Sequence, residues 1–142
     1  MAKKQLPQAE EQFGVALRHT RDDYAANVLM AKTLMAQKKT READTYLASA
    51  KSIYPGEAQA VHLSGLAKLA LRQPEAALAE FVAYDKLLPG NPSTLFFVGA
   101  AHENMGQRRE AANYYYRYLQ SGARGGEAQF AVARLRDWKV IQ

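Results

Sequence analysis

The stretch at 65–89, GLAKLALRQPEAALAEFVAYDKLLP, decides the fold, because its landmarks return at one constant spacing in 99–120, GAAHENMGQRREAANYYYRYLQ. Gly65 returns as Gly99, Ala77 as Ala111, Phe81 as Tyr115 and Tyr84 as Tyr118. One period earlier the same places hold Ala31, Ala43, Leu47 and Ala50, and Pro55 and Pro89 stand one period apart. A constant period of about 34 residues is the mark of stacked helical hairpins, each unable to bury its apolar face alone. The units run 24–57, 58–91 and 92–125, with turns at QKKT near Lys38, LRQP near Gln73 and MGQR near Gly106.

Within a unit the first small residue precedes the second by 12 positions: Ala31 and Ala43, Gly65 and Ala77, Gly99 and Ala111. A large side chain at either place would push the two helices apart, since helices approach to about 8–10 Å only where the contact residues allow it. Four residues after the second small residue comes a large apolar one, Leu47, Phe81 or Tyr115, which shares its helical face.

These residues resemble the tetratricopeptide repeat, with Gly or Ala in the middle of a first helix, then Ala-x3-Phe, then Pro. The resemblance covers about four-fifths of the chain. It implies an all-α fold, a right-handed superhelix of about eight antiparallel helices. The chain departs from the pattern in its first helices, where family units favour Trp and Tyr. Here those places hold Asn27, Val61 and Leu95, then Leu34, Lys68 and His102. Tyr84 and Tyr118 also fill a place that the family keeps small, as Ala50 does.

The period extends to both ends. Ala9, Phe13 and Ala16 stand one period before Ala43, Leu47 and Ala50, so 7–20 reads as the second helix of a half unit, with Pro7 in its first turn. Asp22 and Asp23 suit the start of the next helix through capping and the dipole. At the other end Ala128, Ala131, Leu135 and Trp138 predict a capping helix over 127–140.

A chain of 142 residues with 48% hydrophobic content can bury one continuous core. No stretch reaches the length of a membrane span. The first residues, MAKKQLPQAEEQ, lack the apolar run of a signal peptide. The expected compartment is cytoplasmic if the chain is complete, and periplasmic if it is cut from an exported parent. The absence of cysteine removes disulfides and thiolate chemistry. The net charge of +5 is spread over separate helices and turns, among them Lys3, Lys4, Lys38, Lys39, Arg41, Arg108, Arg109 and Arg134. Nucleic-acid binding needs clustered cations, so it is not expected.

No catalytic constellation emerges. His62 and His102 have Leu66 and Gly106 at i+4, so there is no helical pair of zinc ligands. His102 reads as a packed ring with a hydrogen-bond partner. Glu10–Glu11 and Asp22–Asp23 are sequence neighbours, which point about 100° apart on a helix and cannot face one another across a cleft. The SGARGG segment at 121–126 lacks the Lys-Ser/Thr of a phosphate loop and reads as a turn. The chain is expected to be no enzyme and to use no metal or cofactor.

The resemblance implies a concave groove lined by one stripe of each first helix. Carried onto this chain, the stripe is Ala25, Val28, Lys32, Met35 and Ala36, then Gln59, His62, Leu66, Leu69 and Ala70, then Ser93, Phe96, Ala100, Glu103 and Asn104. Some members hold a chaperone's terminal carboxylate in a charged clamp. Those slots here read Val28, Lys32, Leu66, Ser93 and Phe97, so only Lys32 could contribute. The mixed apolar stripe instead suits a peptide or partner helix held by apolar anchors, with Phe96 and Leu66 as the leading pair. In the run Tyr114–Tyr116, Tyr115 belongs to the core and at least one flanking ring faces outward. The end of the chain, from Tyr114 onward, is also similar to the tail of bacterial membrane-associated zinc metalloproteases, which implies a non-catalytic segment of an exported protease. Self-association through the half unit at 7–20 is a third reading.

Overall fold

The computed structural model describes residues 9–10 and 23–142. Among the described residues there are seven α-helices and no strand: α1 (Tyr24–Ala36), α2 (Thr40–Ile53), α3 (Ala58–Ala70), α4 (Pro74–Leu87), α5 (Pro92–Asn104), α6 (Arg108–Gln120) and α7 (Gly126–Asp137). The helix expected over 7–20 lies outside the described residues, except for Ala9 and Glu10, which are helical. Each helix packs on its neighbour in sequence, and α3 also touches α1 and α5. The chain is thus an all-α superhelix with α1, α3, α5 and α7 in one layer and α2, α4 and α6 in the other. None of these helices is long and apolar enough to cross a membrane.

Local chemistry sets the helix boundaries. Asp23 caps α1, its Oδ1 accepting from the Ala26 N–H at 3.1 Å. Asn91 caps α5 through the Ser93 N–H at 3.0 Å, and Pro92 opens that helix as Pro74 opens α4, where a missing N–H costs nothing. Glu57 provides no side-chain cap for α3, and the Tyr24 hydroxyl accepts from the Ala60 N–H at 3.1 Å instead.

The turns inside the hairpins carry the same period. Lys38 (φ 63°), Arg72 (φ 61°) and Gly106 (φ 76°) are each left-handed and follow one another at the repeat spacing. In each case the next N–H reaches back five residues: Lys39 to Leu34 at 2.8 Å, Gln73 to Lys68 at 2.9 Å, Gln107 to His102 at 2.9 Å. This is the Schellman closure, for which glycine is the favoured residue. A lysine or arginine there adopts a conformation costly for an L side chain. Arg72→Gly is therefore expected to raise stability by up to about 1 kcal/mol and Gly106→Ala to lower it by about as much. The urea midpoint measures both, and equal midpoints for parent and variants would refute the reading.

The last helix is shorter than the period suggests. It ends at Asp137, with Trp138 as C-cap and Lys139 left-handed at φ 60°, so that the Val140 N–H closes on the Leu135 carbonyl at 2.9 Å. The same closure that turns each hairpin stops α7 before 140.

The core runs along the array between the layers. Ala31, Leu34, Ala43 and Leu47 fill its first section, Ala77, Phe81 and Val98 its middle, and Ala111, Tyr115, Ala131 and Leu135 its last. In the second and third hairpins the small middle residue of the first helix faces the large residue of the second. A Cβ on Gly65 would stand 2.6 Å from Phe81 Cε1, and one on Gly99 would stand 2.8 Å from the Tyr115 ring. The first hairpin carries Ala31 with Leu47, trading the ring for a shorter side chain. Ion pairs tie the second helices to their surroundings: Lys68 to Asp44 at 2.6 Å and Lys51 to Glu80 at 2.7 Å, with the Lys51 ammonium also donating to the buried Ser64 hydroxyl at 3.2 Å.

Candidate peptide groove

The stripe expected to line the groove divides by burial. Lys32 and Asn104 are exposed; Met35, His62, Leu66, Leu69, Ala100 and Glu103 are half-buried. Val28, 3% exposed, and Phe96, 8% exposed, are core residues instead of open anchors. The Phe96 ring lies 5.5 Å from Tyr115, 5.4 Å from Tyr118 and 5.9 Å from Phe130, between centroids. For Phe96 the physical reason is the ring at position 118, which closes on it together with Tyr115 and Phe130. The family keeps that place small, and here a tyrosine closes over the stripe residue of the same hairpin. Tyr84 does the same to His62 at 5.0 Å. Its hydroxyl also accepts from Asn91 Nδ2 at 3.0 Å, tying the ring to the cap of α5.

His62 sits in an aromatic pocket, 5.3 Å from Phe97 and 6.0 Å from Phe81, and its Nδ1 is buried without a hydrogen-bond partner. Burial lowers its pKa, and the charge of Glu127 opposes the shift. Leu66 and Leu69 rest on the Phe81 cluster, while Met35 rests on the first section of the core. Glu103 is committed to structure: it accepts from the Tyr115 hydroxyl at 3.0 Å and is paired with the Arg134 guanidinium.

Three residues of α7 were missed by a stripe that stopped at the third unit. Glu127, Phe130 and Arg134 stand one period after Ser93, Phe96 and Ala100, so continuing the repeat one more step would have found them. Phe130 is 46% exposed, and the Arg134 guanidinium lies over its ring at 5.8 Å and over Trp138 at 5.2 Å. Phe130 extends the apolar stripe beyond the covered Phe96.

Outside the stripe, His102 stacks on Tyr114 at 5.3 Å and its Nδ1 lies 2.6 Å from Gln107 Oε1, as expected of a packed ring. In the Tyr114–Tyr116 run the middle ring is buried and Tyr116 faces solvent. Among the described residues no group of three or more His, Cys, Asp or Glu could hold a metal ion.

Burial holds the Tyr115 hydroxyl protonated well above the ordinary tyrosine range, and the Glu103 carboxylate it donates to acts in the same direction. Tyr118 is shifted upward too, first by burial and then by Glu127. An unfolded tyrosine ionises near pH 10, so above about pH 10 the unfolded chain binds fewer protons than the folded one and stability falls as pH rises. The urea midpoint should therefore drop between about pH 9 and pH 11, and Tyr115→Phe should remove part of that drop. An identical drop in the variant would exclude Tyr115 as its source.

The geometry has parallels among solved structures. A MamA crystal structure superposes with a TM-score of 0.77 at 17% identity over 83% of this chain and 69% of that one. MamA 41-end from Desulfovibrio magneticus RS-1 gives 0.76 at 19% identity over 82% of this chain and 66% of that one. YrrB, described as a TPR protein with an unusual peptide-binding site, gives 0.77 at 19% identity over 83% and 61%. This chain therefore spans about three-fifths to seven-tenths of those structures. No protein-family model matches the sequence, and no curated protein does. The fold is that of a tetratricopeptide-repeat array. These likenesses support that resemblance and not the metalloprotease segment.

Proposed function

We propose that the chain is a non-catalytic protein-interaction scaffold that receives a peptide or partner helix along its largely apolar concave face. The carrying observation is that Leu66, Leu69, Ala100 and Phe130 remain partly open on the inner stripe of three successive first helices, although Tyr84 and Tyr118 cover its floor. Apolar side chains left open at helical spacing suit anchors from a partner. The weak charged clamp points the same way, since the cations of the extended stripe are Lys32 and Arg134, and Arg134 is already paired with Glu103. The peptide-binding site ascribed to YrrB supports the reading through the shared architecture.

Capture from a native lysate followed by calorimetry with the recovered partner tests it. Leu66→Ala and Phe130→Ala should each weaken binding by about 1–3 kcal/mol, with the urea midpoint much less affected for the exposed Phe130. Phe96→Ala belongs to a different class, because the buried ring reports folding first. Full-strength binding by the Leu66→Ala/Phe130→Ala double variant would overturn the groove. Concentration-dependent mass in sedimentation, abolished by the same double variant, would make the occupant a second copy.

A further inference from the structure

On the opposite side from the stripe, a cavity of about 480 Å³ opens between α4 and α6 with α5 as its floor. Leu78 and Val82 come from α4, Thr94 and Val98 from α5, and Tyr114 and Arg117 from α6; no residue of the groove stripe lines it. Two of its polar groups lack partners. Thr94 is 6% exposed, yet its Oγ1 is buried with no hydrogen bond. A buried hydroxyl in that state calls for a water or a ligand group. The Arg117 guanidinium, always charged, lies over the Tyr114 ring at 5.4 Å and has no carboxylate in ion-pair contact among the described residues. Asp85, the acidic residue at the rim, is already turned to the Gly90 N–H at 3.4 Å.

We infer that this cavity is a second binding site, separate from the groove, for a peptide segment bearing a bulky apolar side chain beside a carboxylate. The volume falls in the range of small-ligand pockets. The apolar side chain fills the space between Leu78, Val82 and Val98. The carboxylate meets the guanidinium of Arg117, whose planar donors match it. Asp85 on the facing wall repels a carboxylate placed the other way round, which sets the orientation. A main-chain amide of the segment supplies the missing partner of Thr94.

The test is a nuclear magnetic resonance titration of the whole 15N-labelled chain with N-acetylphenylalanine, using N-acetylphenylalaninamide as the uncharged control. Saturable shifts are expected at Leu78, Val82, Thr94 and Arg117, with the acid binding at least about fivefold more tightly than the amide. Arg117→Gln, an exposed change that spares the fold, should abolish that preference. Thr94→Val should weaken both probes while leaving the urea midpoint unchanged or higher, because it deletes an unpaired buried hydroxyl; a purely structural Thr94 would lower the midpoint and leave the affinity unchanged. Equal binding of acid and amide, shifts confined to Leu66, Leu69 and Phe130, or no saturable shift up to about 20 mM probe overturns the inference.

Discussion

Phe81→Ala is expected to lower stability by about 3–5 kcal/mol, the range for removing a fully buried ring. Phe81 has no exposed surface, stacks on Phe97 at 5.4 Å and meets the edge of His62 at 6.0 Å. Phe97 belongs to α5, whereas Phe81 belongs to α4, so the stacked pair joins the second hairpin to the third. In a linear array stability is a sum of unit terms and nearest-neighbour terms, and the loss of a central interface divides the cooperative unit. The variant should therefore unfold in two steps in urea, with α5–α7 separating from α1–α4. Leu135→Ala in the last helix, also fully buried, removes a terminal contact and should only shorten the array. Hydrogen exchange by segment distinguishes the outcomes. A single sharp transition for Phe81→Ala, merely shifted to lower urea, would refute the role of the pair as the joint.

The repeat period made the hairpins, their turns and their large core residues legible, because each is a repeated local rule: a small residue, a ring, a left-handed closure. Side-chain direction was less legible. The spacing placed Gly65 against Ala77, two small residues on facing helices. The close neighbour is instead the Phe81 ring, one turn further on, which leans back over α3 as helical side chains do. Exposure along the groove was the least legible. Whether Phe96 is open depends on Tyr118, Tyr115 and Phe130, residues on two other helices, and no periodicity within α5 reports them. The extra rings at positions 84 and 118 were visible in the sequence as departures from the repeat, and their consequence, a covered floor, follows only once the helices are placed.

Gly65→Ala tests the pairing of small residue and ring directly. The added methyl would lie 2.6 Å from Cε1 and 2.7 Å from Cζ of Phe81, a distance that forces the ring or the α3–α4 spacing to give. Overpacking of a filled core costs about 1–3 kcal/mol, and the constraint on Phe81 from Phe97 and His62 puts this site at the upper end. Helix propensity works in the opposite direction, since Ala is better than Gly inside a helix by about 1 kcal/mol, so a net loss isolates the steric term. The first hairpin already contains the solution: Ala31 with Leu47, both without exposed surface. The double variant Gly65→Ala/Phe81→Leu transplants that pair into the second hairpin. It should be more stable than the sum of the two single changes implies, with a coupling of about 1–2 kcal/mol measured by a double-mutant cycle in urea. Simple additivity would mean that the methyl finds room elsewhere, and the exchange of ring for methyl between hairpins would lose its steric basis.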